Sequence, residues 1–215
     1  MNKVTLSIIV LVVVIGGAFG LLYMYGAGVR DSAVAKQETL KESWGNVQSA
    51  YQRRADLIGN LVETVKGAAD TEKEILIGVT QARAGLRQYT DSVGNIITEG
   101  KNMIGNATSP AQLQQADMMI MNGYRGMRGF LTENYPDLKS IANFSMLQTQ
   151  IEGTENRINT ERNRYNESVK DYNSYIRGTW RKMGLSLVAT EEDGFTVKEA
   201  FEAKPGTEDA PVVKF

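Results

Sequence analysis

Glu152 and Glu155 stand three residues apart, a spacing that puts two carboxylates on one face of a helix, as helical bundles do when they hold a metal. The di-iron form of that arrangement needs Glu-x-x-His pairs, and the 215-residue chain has no histidine and no cysteine. The double absence removes Cys/His zinc sites, thiol nucleophiles, histidine-held haem and every triad that takes imidazole as its base. No catalytic, metal-binding or cofactor-binding residue is assigned, and no cofactor is expected. Gly26-Ala27-Gly28 opens like a dinucleotide loop but lacks the later glycine and the strand–turn–helix setting that would give it meaning.

The remaining polar residues with a pattern fall in two clusters. One holds Arg53, Arg54, Asp56, Asn60, Glu63 and Lys66; the other holds Glu152, Glu155, Asn156, Arg157, Arg162, Asn163, Arg164, Asn166 and Glu167. Charge runs on long helices are usually solvated faces laced with weak three- and four-residue pairs, such as Glu63 with Lys66. The sharper expectation is that the two clusters meet, making Arg53, Arg54, Asp56, Glu63, Glu155 and Arg157 an interaction surface or interhelical seam. In that picture Thr154, Ile158 and Tyr165 pack on the stripe of Ile58, Leu61 and Val65. Met118, Met119, Met121 and Met127 are read as gap-filling core, and Trp44 and Trp180 as packing anchors. A formal net charge of -1 supplies no overall basic field, so no nucleic-acid partner is expected.

What must position these residues begins with an uncharged run, Val4 to Tyr25, close to the roughly 20 residues a helix needs to cross a bilayer. Tyr23 and Tyr25 end it where aromatic rings favour the headgroup level, and Arg30 and Asp31 follow in water. A cleaved signal sequence has a shorter apolar region, and Arg30 and Asp31 would separate this one from a cleavage site at Ala33-Val34-Ala35. The run is therefore read as a single-pass anchor in the cell (inner) membrane, with the lipid bilayer as a partner and the soluble domain extracytoplasmic. Gly16 and Gly20 form a GxxxG pair, a face on which two spanning helices can dimerise.

Beyond the anchor, Trp44, Val47, Tyr51, Ala55, Ile58, Leu61, Val62, Val65, Ala69, Leu76, Val79 and Leu86 recur at helical spacing. With no proline in the stretch, the spacing predicts one helix from Lys36 to about Val93, roughly 80 Å of rod projecting from the membrane. Gly94, Gly100 and Gly105 are expected to puncture the pattern. Ser109-Pro110, with Gln112 three residues after the serine, predicts a capped helix from Pro110 to about Asn134, stopped by Pro136. Phe144, Leu147, Ile151, Thr154, Ile158, Tyr165, Val169, Tyr172 and Ile176 predict a third long helix starting near Asp137 or Ser140. After about Gly184 the period ends, and Leu185 to Phe215 reads as an extended tail with two β-favouring patches, GFTV and PVVKF. The organisation expected is an anchor over 1–30, a long-helix bundle over 31–184 and a tail over 185–215.

Three segments together resemble the LemA family of bacterial membrane-anchored helical proteins: RRADLIGNLVETVKGAADTEKEIL from Arg53 to Leu76, the stretch from Tyr135 to Ile176, and the closing FEAKPGTEDAPVVKF. The resemblance implies an all-α fold, an antiparallel bundle of long helices tethered at the amino terminus, and it brings no catalytic residue. Two positions depart from the family pattern. Gly59 stands where these proteins usually carry proline, and Gly123, Gly126 and Gly129 stand where larger apolar residues are usual. The function expected is a membrane-tethered, non-enzymatic scaffold or adaptor for unidentified protein partners or for copies of itself. The alternative is a sensor that binds a small ligand between helices.

Overall fold

A computed structural model of the chain describes residues 3–71, 80–135 and 142–202, and the observations below concern those residues. They fold into five α-helices: α1 (Lys3–Thr71), α2 (Thr80–Asn106), α3 (Pro110–Asn134), α4 (Ala142–Arg177) and α5 (Thr179–Val188). A single 3₁₀ turn, Glu191–Asp193, follows α5, and no strand occurs among the described residues, so the class is all-α as expected. The second β-favouring patch, Pro136 and the expected start at Asp137 or Ser140 lie outside the described residues. Residues 194–202, which include the first patch, form neither helix nor strand, and Gly194 is left-handed.

The helices form where the apolar period is 3.6. In α1, Val29, Ala33, Leu40, Val47, Tyr51, Ala55, Ile58, Leu61, Val62 and Val65 are buried, one stripe along one face. Upstream the pattern stops. From Val4 to Tyr25 every residue of the same helix is exposed, and the segment is long and apolar enough to cross a membrane.

Two expectations about these helices are overturned. The stretch from Lys36 to Val93 is not one helix: α2 (Thr80–Asn106) runs back antiparallel along α1. The return is fixed by Lys66 with Asp91 at 2.7 Å, Lys101 with Asp56 at 2.6 Å, and Gln48 donating to the Ile104 carbonyl at 2.6 Å. A 3.6 period cannot report this, because two antiparallel helices that share a core carry the same period as one. Nor do Gly94, Gly100 and Gly105 puncture anything, since all three lie inside α2. At Gly100 a methyl group would run into the Ile120 side chain of α3, so this glycine marks a close approach of two helices. Gly123 and Gly126 face α2 likewise, with a methyl at Gly126 falling 3.0 Å from the Tyr89 hydroxyl. Tyr89 then stacks on Phe130 at 4.3 Å between ring centroids.

The start of α3 matches its sequence signal, with one difference in the bonding. The Ser109 hydroxyl accepts from the Gln112 amide at 3.4 Å behind Pro110, but the Gln112 side chain returns to the Thr108 amide at 2.7 Å. Gly59 lies within unbroken helix.

The chain divides into two compact units, each containing part of α1 and part of α4: Met1–Ser43 with Tyr165–Ala200, and Trp44–Arg164 with Phe201–Phe215. In the second unit, segments of α1 and α4 pack with α2 and α3 around Ile58, Leu61, Leu86, Ile104, Leu113, Ile120, Met127, Leu131 and Ile158. In the first, the end of α4 runs antiparallel to α1, with Lys36 bonded to Asp171 at 2.6 Å and Ser43 to Ser168 at 2.9 Å. There the segment after the 3₁₀ turn is held by Asn173, whose amide both donates to the Lys198 carbonyl at 2.8 Å and accepts from the Lys198 amide at 2.9 Å. The Tyr165 hydroxyl donates to the Glu199 carbonyl at 3.1 Å, so Tyr165 serves the first unit and not the Ile58–Val65 stripe. Helix α5 reaches Val188, four residues past the expected end of helical structure.

Candidate functional site

Arg54 is the charged group with the strongest claim to a role, because it sits on the buried face of α1 and is only 3% exposed. Its helical position forces it inward beside Ala55 and Ile58, and a guanidinium there must satisfy its donors or forfeit several kcal/mol of solvation. It does so with three partners on two other helices. Nη1 donates to both Asp117 oxygens at 2.9 Å, Nη2 donates to Glu155 Oε2 at 2.5 Å, and Nε donates to the Thr154 hydroxyl at 3.1 Å. Thr154 passes the bond on to its own helix through the Ile151 carbonyl at 2.6 Å. The planar donor fork of arginine suits this junction, and a lysine would supply neither the plane nor enough donors. One turn away Tyr51 is buried, and desolvation, with the Asp117 charge second, pushes its phenol up to about 12.

The other face of the same α1 segment is open. Gln48, Ser49, Gln52, Arg53, Asp56, Leu57, Asn60 and Gly105 line a groove of about 560 Å³ between α1 and α2. Asp56 and Asn60 also line a second groove of about 430 Å³, which continues past Glu63, Lys66, Asp91 and Lys101. Opposite charges alternate along this surface in the ion pairs Asp56–Lys101 and Lys66–Asp91. It is a polar, two-signed face.

The LemA family model matches residues 43–215. The chain belongs to the LemA family. Among curated relatives it is 25% identical over 161 residues to Protein LemA of Metamycoplasma hominis, a match covering 75% of this chain and 65% of that protein. The chain thus spans slightly less than two thirds of that relative. It is also 25% identical over 193 residues to Magnetosome protein MamQ 2 of Paramagnetospirillum magneticum, covering 85% of this chain and 68% of that one. With Magnetosome protein MamQ of Magnetospirillum gryphiswaldense it shares 26% identity over 192 residues, covering 85% and 68%. None of these names is that of an enzyme.

In this LemA-family chain the six residues expected at one seam divide among three places. Arg54 and Glu155 are bonded to each other, in a junction whose better-buried carboxylate, Asp117, lay outside both sequence clusters. Arg53, Asp56 and Glu63 belong to the α1–α2 grooves, because adjacent residues on a helix lie about 100° apart and Arg53 points away from Arg54's side. Arg157 is exposed on α4. Gly16 and Gly20 lie on α1 with no atom near the space a side chain would take. Of the methionines, Met127 is core while Met118 is 58% exposed. Trp44 packs, stacking on Phe201 at 6.2 Å, with the Arg162 guanidinium 5.0 Å from the same phenyl ring. Trp180 does not: it is 72% exposed on α5, which overturns its reading as a packing anchor.

Proposed function

We propose that this protein is a single-pass, non-enzymatic membrane scaffold that crosses the cell (inner) membrane through Val4 to Tyr25 and offers the α1–α2 face to protein partners or to other copies. The observation that carries this reading is the double character of α1. One helix is exposed and apolar throughout its first part, then buries a regular stripe and presents a polar groove in its second. Lys3 ahead of the apolar run favours an amino terminus inside and the folded part outside the cytoplasm. The names of the magnetosome relatives fit a role as a component of a larger assembly.

Two measurements test the proposal. Protease added to intact spheroplasts should digest the part beyond Lys36, and protection there, with digestion after lysis, reverses the orientation. Partners captured with the full chain from solubilised membranes should be lost on the double change Arg53→Glu and Glu63→Lys, while stability shifts by no more than about 0.5 kcal/mol. An unchanged set of partners removes this face from the proposal. A second reading, a small-ligand sensor, is favoured by a hollow of about 580 Å³ in the first unit. Ile176, Leu185, Phe195 and Val197 line it alongside Lys182 and Thr190. Thermal stabilisation of the chain by a library of cell metabolites would support that reading.

A further inference from the structure

Helix α5 carries an apolar face that nothing in its unit covers. Trp180, Met183 and Leu187, at positions i, i+3 and i+7, are 72%, 43% and 53% exposed, and they fall within about 60° of one another around the helix. The neighbouring face is already used: Gly184 and Leu185 are buried against the first unit. A short helix with one face packed on its own unit and a tryptophan-bearing face outside has a surface left for a partner.

The position of α5 says which partner. At Gly26 a methyl would come 3.0 Å from both the Gly184 carbonyl and Val188, and at Gly184 one would come 3.2 Å from the Tyr25 ring. Glycine at both points lets the two backbones touch, and it pins α5 to the turn of α1 directly after the apolar run. The bilayer's polar zone extends roughly 5 Å beyond the hydrocarbon on each side, about one helical turn. Residues packed on Gly26 therefore lie within that zone whenever Val4 to Tyr25 lies within the hydrocarbon. The charges agree. Arg177, Arg181 and Lys182 are exposed, and no acidic residue occurs between Arg177 and Thr190. Arg181 rests 4.3 Å from the Tyr175 ring, which keeps its guanidinium beside the helix. Of the acidic residues that follow, Asp193 is engaged by Arg30 at 2.7 Å.

We propose that α5 is a second membrane contact, an interfacial helix that seats Trp180, Met183 and Leu187 at the hydrocarbon boundary while Arg177, Arg181 and Lys182 engage anionic phospholipid headgroups. The inference rests on the single-pass reading, because only a spanning α1 brings α5 to the surface. Its consequence is mechanical: a chain held by the span alone can tilt and rotate, whereas two contacts fix the unit's azimuth against the bilayer.

The test uses the full chain with Trp44→Phe, which leaves Trp180 as the sole tryptophan and keeps an aromatic ring on Phe201. The protein is placed in vesicles of phosphatidylcholine, with or without phosphatidylglycerol, brominated near the headgroup or near the acyl midpoint. Helical circular dichroism confirms that it is folded. The proposal expects Trp180 to lose most of its emission on shallow-brominated lipid and less on deep. The shallow loss should grow with phosphatidylglycerol, and Arg177→Gln with Lys182→Gln should abolish that growth. A chain that floats with vesicles and resists alkaline wash while Trp180 stays unquenched overturns the interfacial role and leaves the anchor standing. Blue-shifted, unquenched emission that reverts on dilution overturns it in favour of a second copy on this face. A chain that is stripped from the vesicles by alkali removes the single-pass reading and this inference together.

Discussion

Arg54 is a stability element before it is anything else, and the exposures of its partners rank them. Asp117 is 20% exposed as a side chain and Glu155 is 52%, so solvent screens the second pair far more than the first. Arg54→Ala is expected to cost about 3 kcal/mol in urea unfolding of the detergent-solubilised chain, the low end for breaking a buried ion pair. A loss below about 1 kcal/mol would show that water replaces the guanidinium at no great cost. In double-mutant cycles the Arg54–Asp117 coupling should exceed the Arg54–Glu155 coupling, which belongs in the 0 to about 1 kcal/mol range of exposed pairs. A second residue-scale expectation concerns pH. The Arg30 guanidinium, helped by the Thr190 amide, holds the Asp193 carboxyl at about 2, below its ordinary value near 4. A depressed carboxyl stabilises the fold above its unfolded-state value and loses that contribution as pH falls towards the folded one. The thermal midpoint of the wild-type chain should therefore exceed that of Asp193→Asn at neutral pH, with the gap closing between about pH 4 and about pH 2. A gap that persists at the acid end would mean that Asp193 acts by hydrogen bonding alone.

Among the elements, the α2–α3 pair depends on what its glycines meet. Gly100 faces Ile120 with no room for a methyl, whereas Gly129 on α3 has nothing within 4 Å of that position. Gly100→Ala should destabilise by about 1 to 2 kcal/mol, since overpacking outweighs the better helix propensity. Gly129→Ala should stabilise by about 0.5 to 1 kcal/mol, because propensity acts there without opposition. Chemical denaturation of the two single variants checks the pair, and equal signs would remove the close approach as the reason for Gly100. The glycines that stand in α3 where larger apolar residues are usual are thus two different things, a packing device where α2 approaches and an uncompensated cost where it does not.

For the whole molecule, the exposed apolar part of α1 is long and apolar enough to cross a membrane. If Gly16 and Gly20 form a dimer face, Gly16→Leu with Gly20→Leu should reduce crosslinked dimer several-fold in membranes, because two leucines hold the helix backbones apart. Unchanged crosslinking with circular dichroism intact would assign any self-association to the folded units. The region matched by the family model begins at residue 43, so the kinship rests on the helices beyond the apolar run. The features that tie α5 to that run, Gly26 against Gly184 and Arg30 with Asp193, connect segments far apart in the sequence.

Sequence alone was enough for whatever depends on neighbours three or four residues away. The apolar run from Val4 to Tyr25, the buried stripes of α1 and α4, and the Ser109-Pro110 start of α3 are local patterns, and a helix is a local structure. Arg54 and Glu155 could be named as seam residues because each sits in a polar cluster on a long helix. Asp117 could not, since it lies alone among the methionines of α3 and becomes a partner only when α3 is folded against α1. The antiparallel return of α2 along α1 was hidden because period is blind to direction, and Gly100 was misread because a glycine that breaks a helix and one that admits a neighbour are the same letter. Trp180 shows the same limit from outside: its ring is suited to burial, and only the packing of Gly184 on α1 turned it outward. Tertiary structure decided each of these, because each depends on a contact between residues far apart along the chain.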